Sequence, residues 1–111
     1  MLKKAHRIPR AEYLIVSKTG KRAHSPLFTL IYKDNKETSH SRFSFVVSKK
    51  VAKSSPKRHT IKRWGYEIVY KNKDILEKTP PVYAIFIIKP EFKQTAFAAF
   101  ETQIQHIWKN L

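Results

Sequence analysis

The chain has 111 residues, a length that suits one domain with one core. Its hydrophobic content of 41% is too high for a disordered tail, and the lack of cysteine excludes disulfides, thiol nucleophiles and cysteine-based zinc sites. Lysine and arginine outnumber the acids 23 to 8, a formal net charge of +15, which points to a polyanionic partner such as nucleic acid, an anionic membrane or an acidic protein.

The first stretch, MLKKAHRIPRAE, lacks the apolar segment of a secretory signal, and no apolar run approaches the ~20 residues of a membrane span. The expectation is a cytoplasmic protein of one domain, 1–111, with Met1 to Ile8 as a mobile basic arm. Pro9 can open a helix running through Val16, with Gly20 as its stop. Tyr13, Val16 and Ser17 would share a face of it. Lys21 to Ser25 is a short strand or its lead-in. Phe28, Leu30 and Tyr32 then alternate with Leu27, Thr29 and Ile31, so this strand is apolar on both faces and periodicity does not choose the inner one. A polar connection of about eight residues leads to a strand at Arg42, and two strands joined in this way predict an antiparallel hairpin.

Residues 42–73 are the most informative stretch. Phe43, Phe45 and Val47 alternate with Arg42, Ser44, Val46 and Ser48, the pattern of a half-buried strand. Lys49, Lys50 and Lys53 follow in a turn. Ser54 or Ser55 can then cap a helix with Pro56 in its first turn. Ile61, Trp64 and Ile68 recur at helical spacing over roughly a 60° arc, which leaves Arg58, His59, Lys62 and Arg63 pointing away from it. Ten lysines or arginines fall in this stretch against one acid, Glu67, and no acid occurs from Thr38 to Tyr66. A continuous acid-free surface of this kind suits phosphate backbones, because each neutralised phosphate releases condensed counterions. Glu67 is placed to pair with Arg63 or Lys71 along the helix.

A last helical turn at Asp74 to Leu76 precedes Pro80-Pro81, which breaks any helix. VYAIFII (82–88) is continuously apolar, a strand covered on both faces, so strand, basic helix and strand form a β-α-β crossover. Thr95 can cap a final helix whose Phe97, Phe100, Ile104, Ile107, Trp108 and Leu111 make an amphipathic stripe that covers the sheet. The fold class is α+β: a single-domain α/β sandwich in the order α-β-β-β-α-β-α, with a mostly antiparallel four-stranded sheet.

A catalytic centre is not evident. The eight acids are scattered, the five histidines lack metal-ligand spacing, and two glycines cannot build a phosphate loop. A DNA-binding reading lacks helix-turn-helix spacing. The residues describe a binder.

The strand end Val47-Ser48-Lys49-Lys50-Val51-Ala52-Lys53, followed by Arg58-His59-Thr60-Ile61-Lys62-Arg63, resembles the protein component of bacterial ribonuclease P. In that family a strand ending S-V-S-K-K leads to a helix carrying R-N-R-x-K-R. Arg7-Ile8, Glu12-Tyr13 and Val16 to Gly20 match its N-terminal pattern. His59 and Thr60 replace the asparagine and second arginine of the motif. The resemblance implies a left-handed β-α-β crossover. It also implies a subunit of an endoribonuclease whose catalytic centre lies on an RNA, with no catalytic residue on this chain. That enzyme removes the 5′ leader of precursor tRNA and requires Mg²⁺; this chain would carry no covalently bound cofactor. The implied partners are the catalytic RNA and precursor tRNA, without membrane or DNA. Lys49, Lys50, Lys53, Arg58, His59, Lys62 and Arg63 would contact RNA. Tyr13, Phe28, Tyr32 and Ser48 would line a cleft for the single-stranded leader, with Tyr13 as a stacking platform. The alternative is a ribosomal or other structured-RNA binding protein with no role in cleavage.

Overall fold

The computed structural model describes residues 6–92 and 95–111. Its elements in chain order are α1 (Arg10–Thr19), β1 (Lys21–His24), β2 (Phe28–Asp34), β3 (Arg42–Val46), α2 (Ser55–Lys71), the single turn α3 (Lys73–Leu76), β4 (Val82–Ile88) and α4 (Phe97–Lys109). A short 3-10 turn at Pro90–Phe92 precedes α4. The four strands form one sheet in the order β1-β2-β4-β3.

β4 occupies the centre because every residue from Val82 to Phe86 is buried, so it gains most from cover on both faces. It pairs antiparallel with β2, Leu30 opposite Phe86 and Ile31 opposite Ile85, and parallel with β3, Phe45 opposite Phe86. The β3-α2-β4 segment is therefore the expected crossover. The expected hairpin of β2 with β3 does not form, because β4 lies between them. β3 carries Arg42 and Ser44 on one face and suits an edge; its loop from β2 spans the intervening strand. That loop is a built structure. The buried Asn35 side chain accepts from the Glu37 and Thr38 amides at 3.0 and 3.1 Å, and its Nδ2 donates to the His40 carbonyl at 2.9 Å.

The sheet separates two apolar layers. The larger lies under α2 and α4 and contains Phe28, Leu30, Phe43, Phe45, Phe86, Phe100, Ile104 and Trp108. Phe45 stacks on Phe86 with ring centroids 4.7 Å apart and meets Tyr66 edge-on at 5.1 Å. The smaller lies under α1 and consists of Val16, Ile31, Tyr83 and Ile85. Phe100, Ile104, Ile107 and Trp108 of the final helix are buried as the stripe predicts; its N-cap is Ala96, with no side-chain cap from Thr95.

Both glycines serve close approach. Gly20 ends α1 with extended backbone, and a Cβ there would stand 2.8 Å from Ile31 Cγ2. A Cβ on Gly65 would stand 2.5 Å from the Phe45 ring. The N-terminal arm is docked where it is described: Arg7 bridges to Phe43, the Ile8 amide donates to the Phe43 carbonyl at 3.2 Å, and Arg42 Nη1 donates to the Arg7 carbonyl at 3.1 Å. The expected mobile arm Met1 to Ile8 thus makes these contacts through Arg7 and Ile8; residues 1–5 of it lie outside the described residues.

Candidate nucleic-acid interface

The basic turn between β3 and α2 is anchored by two buried valines, Val47 and Val51, and by the Val51 amide donating to the Ser48 carbonyl at 3.1 Å. With those ends tied down, Lys49, Lys50 and Lys53 stand exposed. Arg58 Nη1 donates to the carbonyls of Ala52 and Lys53 at 3.0 and 2.8 Å, so this guanidinium braces the turn as well as adding charge. Ser54 caps α2 by accepting from the Lys57 amide, Pro56 follows in the first turn, and no acid balances the positive end of the helix dipole there. Positive potential therefore accumulates where strand, turn and helix meet.

Along α2 the fully buried stripe is Gly65, Ile68 and Val69. Ile61 and Trp64 are half-buried, so the core face is rotated from the arc that Ile61, Trp64 and Ile68 predict. Gly65 accounts for the rotation, because the lack of a side chain lets Phe45 press against the helix. His59, Lys62 and Arg63 are exposed, as expected of an anion-facing surface. The ion pair anticipated for Glu67 differs: among the described residues Lys71 pairs with Glu101 of α4 at 3.3 Å. Asn72 reinforces that junction, donating to Glu101 Oε2 at 3.0 Å and accepting from Gln105 Nε2 at 2.8 Å. The Tyr66 phenol on the β3 flank has its pKa raised by burial, against smaller opposing effects of the Phe45 backbone and Arg7.

The other sheet face carries a second surface. Tyr13 is half-buried and, with Ile8, Val46 and Ile87, rims the small core around Val16 and Ile85. Val46 and Ile87 are neighbours across β3 and β4. Among the described residues α1 packs on β2 and β4, and Ile8, Tyr13, Val46 and Ile87 stay half-buried as a strip at its border with β3. Ser48 is exposed two residues beyond the end of β3, at the start of the basic turn. The strip offers partly exposed apolar groups beside a basic turn, a surface suited to unpaired bases.

Two sequence-predicted cleft residues lie elsewhere. Phe28 is 0% exposed and packs edge-on against Phe86 and Phe100, so it is a core residue and presents nothing to a ligand. Tyr32 packs against the same layer, on the sheet face away from α1. Their shared parity places both there, and only the sheet partners reveal which parity is which. The sequence pattern does not mark Ile8 or Ile87 as part of the strip beside β3. For Val46 the signal was present, since it is the one apolar residue on the outer face of its strand.

A separate cleft of about 590 Å³ opens beside α1, lined by Val16, Thr19, Gly20, Tyr32, Lys33 and Tyr83, with Glu12, Asp34, Glu37, Lys21 and Lys36 also on its wall. Burial, reinforced by Glu12 and Glu37 and opposed by Arg42, raises the Tyr83 pKa. Its three acids make it less suited to phosphates than the strip beside β3. Among the described residues no group of three His, Cys, Asp or Glu could hold a metal ion, and no helix is long and apolar enough to cross a membrane.

Comparison with known proteins matches this architecture. The Staphylococcus aureus RNase P protein superposes with a TM-score of 0.82 at 28% identity, covering 96% of this chain and 94% of that one. The Thermotoga maritima RNase P protein superposes with the same TM-score at 23% identity, over 95% and 96% of the two chains. The ribonuclease P protein component of Thermotoga petrophila is 28% identical over 104 residues, 92% of this chain and 87% of the relative. The family model for ribonuclease P matches residues 2–111, and the chain belongs to that family.

Proposed function

We propose that this chain is the protein subunit of a cytoplasmic ribonuclease P ribonucleoprotein, which removes the 5′ leader of precursor tRNA. Lys49, Lys50, Lys53, His59, Lys62 and Arg63 bind the catalytic RNA through its phosphates, with Arg58 holding the turn that presents them. Tyr13, Ile8, Val46, Ile87 and Ser48 receive the single-stranded leader. The RNA subunit binds the Mg²⁺ and supplies the reacting groups, while this chain binds and orients.

The observation that carries the reading is the placement of the two surfaces about β3. The edge strand shows Val46 to the α1 face, and its C-terminal turn presents the lysines that lead into α2. One chain can thus hold a folded RNA by charge and steer an unpaired strand along an apolar strip beside it. The test is the affinity of the assembled ribonucleoprotein for precursor tRNA and for mature tRNA. Tighter binding of the precursor, with the gain dependent on this protein, is expected. Equal affinities would remove the leader from the reading.

A further inference from the structure

A second concavity lies between the turn that follows β3, the first half of α2 and the segment around Phe92 and Thr95. It has a volume of about 670 Å³, within the range of small-molecule and cofactor sites. Its floor is apolar, formed by the buried Val51 and Phe92 and the half-buried Ile61. Trp64 forms one wall, and its ring is held edge-on against Phe97 with centroids 5.6 Å apart and planes at 79°. The lip carries Lys53 and Lys57, both exposed, and the described lining includes no acid.

We infer that this concavity binds one unpaired nucleotide of the catalytic RNA, its base against Trp64 and its flanking phosphates on Lys53 and Lys57. An apolar floor with an aromatic wall and a cationic lip is the chemistry of a nucleotide: a flat π-face joined to an anion. An acidic peptide would leave the floor unfilled, and a simple anion would leave Trp64 unused. The source is the catalytic RNA because α2 and α1 lie on opposite faces of the sheet. A leader held by Tyr13 is on the far side, whereas an RNA lying along Lys62 and Arg63 needs only to turn one base across the helix. The inference rests on the reading of the chain as a ribonuclease P protein and adds a specific stacking site to an otherwise electrostatic surface.

The test uses the full chain and its cognate catalytic RNA, with affinities measured across a salt series. Trp64→Leu keeps the contact with Phe97 apolar but removes the stacking face. It should weaken binding roughly 5- to 150-fold with an unchanged salt slope, and Trp64→Phe should restore most of the loss. Lys57→Ala should lower the slope by up to about one unit. The urea midpoint of Trp64→Leu, measured beside that of the wild type, separates a folding defect from a loss of binding, because Trp64 also packs against Phe97. Ultraviolet cross-linking of the complex should join a single RNA nucleotide to the peptide containing Trp64. Wild-type affinity in Trp64→Leu, or cross-links that avoid Trp64, would overturn the inference. So would a Trp64→Leu loss confined to precursor over mature tRNA, since that would assign the site to the leader. Failure of the wild-type chain to bind the catalytic RNA at all would instead overturn the proposed function.

Discussion

Gly65 and Phe45 show how far single residues depend on partners distant in sequence. An isolated helix would favour alanine over Gly65 by about 1 kcal/mol. Here a Cβ would meet three atoms of the Phe45 ring within 2.7 Å, and that ring is stacked on Phe86. Overpacking of this kind costs typically about 1–3 kcal/mol, so Gly65→Ala should lower the urea midpoint; a raised midpoint would show that helix propensity wins. Tyr13 and Phe28 separate the proposed leader strip on the α1 face from the core. Tyr13→Ala should weaken precursor binding by roughly 1–3 kcal/mol and spare mature tRNA. Phe28→Ala should cost about 3–5 kcal/mol of stability without changing the precursor-to-mature ratio. The two aromatics could not be told apart from sequence, because the Phe28 strand is apolar on both faces and only its pairing with β4 assigns them. Tyr66 gives the pH dependence. Its folded pKa lies above the unfolded value near 10. The folded state therefore holds the phenolic proton more tightly than the unfolded chain. This contribution to stability is complete below about pH 10 and is lost as pH rises through the folded pKa. Tyr66→Phe should flatten that part of the alkaline decline in urea midpoint; an unchanged decline would mean that the phenol is as well solvated as in the unfolded chain.

At the scale of elements, local signals were the legible ones. The Ser54 cap, the Pro56 start, the stripe of α4 and the alternation of β3 each depend on neighbours a few residues away, and each is present in the fold. The order of strands depends on long-range competition instead. Chain proximity favours a β2-β3 hairpin, but β4 gains more from the central position because both its faces are apolar. The rotation of α2 was hidden for the same reason, since Gly65 is a packing point only when Phe45 lies beneath it. The exposed face of α2 makes a graded prediction. Lys62→Ala and Arg63→Ala should each reduce the salt slope of catalytic-RNA binding by up to about one unit with little change in stability. Arg58→Ala should also lower the melting temperature, because it releases the carbonyls of Ala52 and Lys53. A melting temperature equal to wild type would deny Arg58 its bracing role.

For the whole molecule, charge and topology together support the proposed function. A net charge of +15 brings the chain to any polyanion. The sheet then divides the work, with the basic helix and α4 on one face, α1 and the apolar strip on the other, and the lysine turn at the end of β3. The direct test is cleavage of a precursor tRNA by the cognate catalytic RNA at low Mg²⁺, with and without this chain. The account predicts release of the 5′ leader that is strongly stimulated by the protein and absent when the RNA is omitted. Binding of both RNAs without stimulation, or cleavage by the protein alone, would contradict it.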